Sequence, residues 1–176
     1  GQFGAQRVRD TPISEAGFVG AGVGAAASGL RPVVDLMYVS FMGVCADQIT
    51  NNAAKIHYMF GGKVKIPLTI ITGIGAGTNS AAQHSETVYS VFAHYPGLKV
   101  VCPSNPYNAK GLLISAIRDD DPVFVCNNRQ LMGFRGIPDS DLYFDEATVP
   151  LDHLVVPAGG FPKLMQAFDL ERCGNA

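Results

Sequence analysis

The sequence predicts an α/β fold in which a mostly parallel sheet carries helices on both faces. Four short runs are β-branched and almost wholly apolar, as expected of strands that are covered on both sides. Segments with helical character separate these runs, and this alternation favours a parallel sheet with right-handed crossovers. The predicted strands are 32–39, 67–72, 98–103 and 122–126, and the predicted helices are 14–29, 44–60, 84–95 and 106–119.

The first predicted helix follows Pro12, and small residues recur in it at every fourth position. Such a row clears one face of the helix for the close approach of another backbone. Glycine inside a helix costs about 0.5–1 kcal/mol relative to alanine, so we expect a compensating contact. Packing on the protein's own sheet and contact with a second subunit both explain the row. Its members are Ala16, Gly20, Gly24 and Ser28.

Glu15 follows Ser14 at the start of this helix and heads a run with no further charge until Arg31. One interpretation is electrostatic, because a negative charge in the first turn gains about 0.3–1 kcal/mol from the helix dipole. The alternative is a carboxyl group in an apolar site, where burial disfavours the anion and lets the group share a proton with a bound base. The local sequence leaves both interpretations open.

Two further features precede the third predicted helix. The loop Gly73–Gly77 follows a strand but lacks the spacing and the downstream acid of a dinucleotide fingerprint, so we predict a tight turn with close ligand approach. His84 is predicted at the start of the helix, whose positive end would keep the imidazole neutral near pH 7. A structural histidine is the alternative.

Composition indicates one buried domain and a protein partner. A chain of 176 residues suffices for one core. Only 16% of the residues are charged and 47% are apolar, so part of the surface must be uncharged, and a partner subunit that covers it would explain this.

The net charge of -2 and the absence of a basic cluster argue against binding of nucleic acid or of an anionic membrane. The apolar stretch 16–30 is too short to span a bilayer. The start, GQFGAQRVRD, has no secretory signal pattern. The cysteines lack paired spacing, which favours reduced thiols in a cytosolic-type compartment; they are Cys45, Cys102, Cys126 and Cys173.

The most specific signal lies in four segments and the turns between them: DTPISEAGFVGAGVGAAASGLRPV, DQITNNAAKIHYMFGGK, AAQHSE and GLKVVCPSNPYNAKGLLISAIRDDDPV. Together they resemble the beta subunits of pyruvate and acetoin dehydrogenases, from about Phe3 to Gly133. In that family this region is the pyrimidine-binding domain of a thiamine diphosphate enzyme. TPISE followed by AAQHS resembles the pyruvate and acetoin members more than the branched-chain ones, and FMGVCADQ with YMFGGK favours acetoin dehydrogenase.

The resemblance implies roles for individual residues. Glu15 is expected to hydrogen-bond a ring nitrogen of the cofactor's aminopyrimidine, which favours the imino form that removes the thiazolium proton. Phe41 is expected to pack on the aminopyrimidine ring, and His84 is expected near the substrate and the incoming lipoyl group. A structural potassium ion, held largely by backbone oxygens, is also implied. Its expected positions are Leu68, Ala116, Asp119 and Asp121.

The implied function is cleavage of a 2-oxo acid (pyruvate) or of acetoin, with transfer of the acyl unit to lipoamide. An alpha subunit is expected to hold the diphosphate and Mg²⁺ in an alpha2beta2 heterotetramer, so catalysis requires it. The other expected partner is the lipoyl domain of the acyltransferase core. The implied location is the bacterial cytoplasm, or the mitochondrial matrix in a eukaryote. Two alternatives stay open: a non-catalytic assembly or regulatory subunit, and a free-standing α/β ligand-binding module.

The expected domain organisation departs from the family. We expect an incomplete pyrimidine-binding domain over 1–133, a linker over 134–150 and a remnant of the transketolase-type C-terminal domain over 151–176. Because the chain starts after the family's first helix and strand, we expect its sheet to lack an edge or central strand. Because the second domain is almost absent, we expect a partial or internally deleted sequence, joined near residue 150. Ala158 stands where family members usually have an acid, and NNRQ at 127–130 replaces a Glu-containing segment, which alters the expected partner contacts.

Overall fold

Four parallel strands form one sheet, as the sequence predicts. The computed structural model describes residues 3–77 and 79–132. The strands are β1 (Val33–Tyr38), β2 (Thr69–Ile74), β3 (Lys99–Val101) and β4 (Val123–Asn128), in the spatial order β1-β2-β4-β3. The predicted linker and C-terminal remnant, 134–150 and 151–176, lie outside the described residues.

The helical elements between the strands follow the predicted order. They are α1 (Glu15–Ala27), α2 (Ala54–Met59), α3 (Tyr89–Ala93), α4 (Pro106–Arg118) and α5 (Arg129–Met132). Two 3₁₀ segments, Val39–Cys45 and Ala82–His84, and one π-helical turn, Gln48–Ala53, complete the set. Residues 11–132 form one compact unit. Outside it, Phe3–Asp10 contains a turn in which the amides of Arg7 and Val8 donate to the Gly4 carbonyl, both at 3.1 Å.

Both faces of the sheet are covered. On one face the main core joins α1 to the strands through Val19 and Val23, and Phe92 of α3 stacks on Phe124 of β4 with ring centroids 4.1 Å apart. Residues of β4 that alternate with Phe124 point the other way, where α4 packs with its buried Leu113. The predicted α/β fold with helices on both faces is therefore confirmed. No helix within residues 3–77 and 79–132 combines the length and hydropathy that crossing a bilayer requires.

The predicted helix over 84–95 is present but shorter than expected. Regular α-helix begins only at Tyr89 and ends at Ala93. Just before it, the carbonyl of Glu86 accepts a hydrogen bond from the amide of Gly75 at 2.8 Å, across the loop. A carbonyl used in this way is not available to a helical ladder, so a long-range contact overrides the local pattern.

The predicted helix over 44–60 is interrupted rather than regular. It passes from a 3₁₀ segment through the turn Gln48–Ala53 into α2. Within that turn the side-chain Nδ2 of Asn52 donates to the backbone carbonyl of Asp47 at 3.2 Å, and the hydroxyl of Thr50 donates to the carbonyl of Ala46 at 2.8 Å. Side chains that bond backbone carbonyls compete with the regular ladder, which explains the widened turn.

The row of small residues on α1 does not face the sheet. The helix approaches the sheet through Gly22, where an added Cβ would lie 2.7 Å from Val34 Cγ2. In the row itself, Gly20 lies against Gln48, and Gly24 has open space around it. Packing on the protein's own sheet is therefore the wrong explanation of the row. Contact with a second subunit stays a prediction.

A pair of substitutions on α1 tests this orientation. Gly24→Ala is expected to raise the free energy of unfolding by about 0.5–1 kcal/mol, since alanine restricts the unfolded chain and meets no neighbour. Gly22→Ala is expected to lower it by about 1–3 kcal/mol, because the methyl group overpacks the contact with Val34. Urea unfolding followed by circular dichroism measures both variants, and shifts of the same sign would contradict the packing described here.

Candidate functional site

The candidate site lies at the carboxyl ends of the central strands, where open α/β sheets bind ligands. A bulge ends β1: the register with β2 shifts between Asp35 and Tyr38, and Met37 has a positive φ of 58°. The amide of Met37 donates to Asp35 Oδ1 at 2.7 Å. Bulges of this kind re-aim side chains, and here the chain turns at Tyr38 into the 3₁₀ segment Val39–Cys45.

Glu15 is buried at the amino end of α1, with 6% of its surface exposed. Ser14 makes no side-chain cap to the helix. Within residues 3–77 and 79–132, no hydrogen bond or ion pair to the Glu15 carboxyl group is found. Glu15 lies in the first turn of α1, where the helix dipole acts on it, and most of its surface is covered, so both interpretations stay open. The carboxyl oxygens keep some contact with solvent, because they are not among the fully enclosed polar atoms that lack a partner.

Cys45 connects Glu15 to the 3₁₀ segment after β1. Its thiol is fully buried, and burial, followed by the negative charge of Glu15, raises the pKa of Cys45 to about 11. The thiol therefore stays protonated near neutral pH and donates to the carbonyl of Phe41 at 3.7 Å. Because the charge of Glu15 acts on this thiol and α1 packs on the segment Val39–Cys45, Glu15 lies near the segment that carries Phe41. The sequence indicated only that Cys45 is a reduced thiol.

Phe41 and His84 meet in an aromatic cluster with Tyr38. The imidazole lies edge-on to both rings, with centroids 4.4 Å from Tyr38 and 5.4 Å from Phe41 and interplanar angles of 87° and 88°. Tyr38 and Phe41 are themselves 5.8 Å apart. The structure thus brings together two residues that the sequence places 43 positions apart, Phe41 and His84. Glu15 joins them through Cys45.

His84 does not begin a helix, which corrects the sequence-based prediction. It is the last residue of the 3₁₀ segment Ala82–His84, and α3 starts five residues later. Because no helix begins at His84, the expected interaction between a helix dipole and its imidazole is not formed. The environment of His84 is instead the two aromatic rings and a hydrogen bond to its own carbonyl.

That hydrogen bond comes from Arg129, which the sequence did not single out. Arg129 Nη1 donates to the carbonyl of His84 at 2.5 Å, and Nη2 donates to the hydroxyl of Ser80 at 2.9 Å. Its guanidinium carbon also lies 4.8 Å from the centre of the Tyr38 ring, within the range of cation–π interactions. The sequence marked NNRQ at 127–130 only as a departure from the family, because the partners of Arg129 come from two distant parts of the chain, Tyr38 and the loop Ser80–His84.

The predicted loop Gly73–Gly77 begins inside β2, whose last two residues are Gly73 and Ile74, and it leads to an irregular segment rather than to a helix. Gly77 has a φ of 114°, and an added Cβ there would lie 2.9 Å from Gln130 Cγ. The glycine is therefore required by a neighbouring side chain of this protein. Close approach to a ligand stays a prediction.

The four residues implied for potassium lie in one region, at the opposite end of the sheet. Their backbone oxygens already accept protein hydrogen bonds: Leu68 from the amide of Val123 at 2.9 Å, and Ala116 from that of Asp119 at 3.2 Å. Arg31 Nη1 donates to the carbonyl of Asp119 at 2.8 Å. Lys99 binds the carboxylates of Asp119 and Asp121, and these hydrogen bonds raise the pKa of Lys99. Potassium binding by Leu68, Ala116, Asp119 and Asp121 remains a prediction.

Comparison with known proteins gives matches along most of the chain. A family model described as the transketolase pyrimidine-binding domain matches residues 1–134. The beta subunit of the acetoin:2,6-dichlorophenolindophenol oxidoreductase of Cupriavidus necator is 54% identical over 149 residues, which are 83% of this chain and 44% of that protein. The beta subunit of the pyruvate dehydrogenase E1 component of Rickettsia conorii is 50% identical over 132 residues, 75% of this chain and 40% of that protein.

The chain therefore spans less than half the length of these curated relatives. Among solved structures, a split-gene transketolase described as an inactive beta4 tetramer matches with a TM-score of 0.53 and 18% identity. The match covers 66% of this chain and 35% of that one. At this identity the likeness supports the fold alone.

Proposed function

The chain belongs to the transketolase pyrimidine-binding domain family, alongside the beta subunits of acetoin and pyruvate dehydrogenases, and from this premise we propose a role in thiamine diphosphate-dependent catalysis. The proposed protein is the beta subunit of an acetoin or 2-oxo acid (pyruvate) dehydrogenase. It contributes one half of the active site, and an alpha subunit contributes the other. The reaction cleaves the substrate and transfers the acyl unit to lipoamide.

The observation that carries this proposal is Glu15, a residue with 6% of its surface exposed whose carboxyl group makes no hydrogen bond or ion pair among the described residues. The aminopyrimidine of thiamine diphosphate offers ring nitrogens that can exchange a proton with a carboxyl group. Phe41, with Tyr38 against its edge, supplies an aromatic surface for a flat ring. The residues present therefore fit the pyrimidine half of the cofactor.

Each residue of this chain has a distinct task in the proposed reaction. Glu15 shares a proton with a ring nitrogen, and its shelter from water keeps that exchange specific. Cys45 remains a neutral thiol, so it adds no charge beside the carboxyl group. His84 holds a proton near the substrate or transfers it to or from the substrate. When bound, the cofactor supplies the carbanion and the electron sink for carbon–carbon cleavage.

A partner subunit must supply the remaining half. Among the described residues, no three His, Cys, Asp or Glu side chains converge as a metal site, and we propose that the alpha subunit holds the diphosphate and Mg²⁺. Ile13, two residues before Glu15, is 85% exposed, and Leu30 beyond the other end of α1 is 63% exposed. The exposed apolar side chain of Ile13 close to Glu15 supports a partner that covers the site. The proposed assembly is an alpha2beta2 heterotetramer that docks the lipoyl domain of an acyltransferase core.

Reconstitution tests this function. The full chain is co-expressed with the alpha subunit of an acetoin dehydrogenase or of a pyruvate dehydrogenase and purified as a complex. Thiamine diphosphate and Mg²⁺ are added, and reduction of 2,6-dichlorophenolindophenol is followed with acetoin and with pyruvate. Turnover with either substrate is the expected result, and it identifies that substrate.

Two outcomes would contradict the proposal. An intact complex that binds the cofactor but shows no turnover favours the non-catalytic assembly or regulatory subunit. Tight binding of thiamine diphosphate by the isolated chain favours a free-standing ligand-binding module.

A further inference from the structure

We propose that Arg129 is the positioning residue that fixes His84 in the candidate site. The catalytic role of His84 rests on the proposed function. The contacts that hold His84 do not, because they belong to this chain alone.

The side chain of Arg129 reaches the site by crossing β2 at a residue without a side chain. Arg129 follows β4, and Tyr38 ends β1, which lies on the far side of β2. Between them is Gly73, paired with Tyr38 on one side and with Asn127 on the other. A Cβ on Gly73 would lie 3.3 Å from both Cγ and Cδ of Arg129, tighter than an ordinary contact. The bare backbone of Gly73 thus provides the path along which Arg129 reaches Tyr38.

At the end of this path the guanidinium contacts two separate segments, the loop Ser80–His84 and the end of β1. One nitrogen binds the carbonyl of His84, the other binds the hydroxyl of Ser80, and the planar group lies over the ring of Tyr38. A planar fork with fixed donor directions holds two acceptors at once, which the single ammonium group of lysine cannot do in the same geometry. Arg129 therefore ties the loop that carries His84 to the ends of β1 and β4.

That loop has little regular structure of its own. Asn79 and Ala81 have positive φ angles of 54° and 59°, which cost non-glycine residues about 1–3 kcal/mol each and persist only where surrounding contacts enforce them. The 3₁₀ segment that ends at His84 is one turn long. Contacts from outside the loop must therefore hold this conformation, and Arg129 supplies two of them.

The imidazole is oriented by the backbone that Arg129 holds. His84 stands edge-on to Tyr38 and Phe41, and Arg129 binds both the carbonyl of His84 and the face of Tyr38. Loss of the guanidinium would release the backbone of His84 and one of the two rings that frame it. Since a displacement of about 1 Å at a reacting group can cost about 100-fold in rate, a small movement is sufficient to matter.

The first experiment measures the position of His84 in the full chain without any partner. The ring Cε1–H resonance of His84 is identified by its loss in His84→Gln and is compared in Arg129→Gln and Arg129→Lys. Both variants are expected to shift it toward the value of the unfolded chain, while the resonances of His57 and His94 stay in place. Arg118→Gln, which removes a positive charge at the opposite end of the sheet, is the matched control and should leave His84 unchanged.

The outcomes separate positioning from charge and from general stability. An unchanged His84 resonance in Arg129→Gln would overturn the proposal. A wild-type resonance in Arg129→Lys would overturn it as well, since charge without the planar fork would then suffice. Should Arg129→Gln fail to fold, the lysine variant, which keeps the charge and most of the stem, carries the comparison.

The second experiment uses the reconstituted complex. Arg129→Gln is expected to lower kcat for substrate cleavage about 100-fold and to reduce exchange of the thiazolium proton, which depends on Glu15, much less. A wild-type complex without turnover would contradict the proposed function and leave the resonance result standing. An active wild type with an equally active Arg129→Gln would contradict the positioning role alone.

Discussion

Glu15→Gln in the reconstituted complex is expected to slow exchange of the thiazolium proton of bound thiamine diphosphate by about 10²–10⁴-fold, the usual contribution of a positioned acid or base. Glutamine has nearly the same shape, so the pyrimidine ring still fits. Its amide cannot give or take the proton that a carboxyl group shares with a ring nitrogen. Since Glu15 is buried, bulk water cannot replace the lost group. Quenched deuterium exchange at the thiazolium carbon, read by proton NMR, measures the effect.

Glu86→Gln is the matched control for this variant. Glu86 is an exposed glutamate near His84 in the sequence, and the same loss of charge there should leave the exchange rate unchanged. The folded state should also survive in Glu15→Gln, because the loss of the helix-dipole interaction costs only about 0.3–1 kcal/mol and the amide removes an unpartnered buried carboxyl group. Wild-type exchange in Glu15→Gln would remove the catalytic assignment. Slow exchange accompanied by unfolding would show only that Glu15 is structural.

Much of the fold could be predicted because its strands carry a local signal. An apolar run such as 122–126 is recognisable without knowledge of its neighbours, and the alternation with helices then selects a parallel sheet. Elements that depend on distant contacts could not be predicted in the same way. The helix expected at 84–95 is shortened by a hydrogen bond between Glu86 and Gly75, and the bulge at Met37 depends on the carboxylate of Asp35.

The candidate site was predictable to a similar degree. Glu15 could be predicted because a lone acid in an uncharged run is unusual. Phe41 and His84 were identified through the family resemblance. The structure brings the aromatic pair together and places Glu15 beside the same segment. The role of Arg129 could not be predicted from the sequence. It depends on the absence of a side chain at Gly73, a glycine 56 residues earlier. A residue that acts across a sheet in this way becomes visible only in three dimensions.

Gly97→Ala is expected to have the largest effect on stability of any substitution considered for this chain. Gly97 is the third residue of the turn Tyr95–Leu98, in which the amide of Leu98 donates to the carbonyl of Tyr95 at 3.3 Å. Proline at the second position and glycine with a φ of 95° at the third are typical of a type II turn. An added Cβ would lie 2.0 Å from the carbonyl oxygen of Ala54, at the start of α2. Backbone on both sides makes relief costly, so strain and overpacking together should lower the free energy of unfolding by about 2–6 kcal/mol.

Gly61→Ala separates the clash from the turn strain. Gly61 also has a positive φ, 61°, but no atom lies within 4 Å of an added Cβ, so only the conformational cost of about 1–2 kcal/mol should appear. Urea unfolding of both variants gives the difference, which measures how closely the turn approaches α2. Because the total stability of a domain is about 5–15 kcal/mol, Gly97→Ala should remove a large fraction of it and lower the urea midpoint clearly. Equal midpoints for the two variants would mean that the backbone of Ala54 can move away, and that the close contact between the turn and α2 does not constrain the fold.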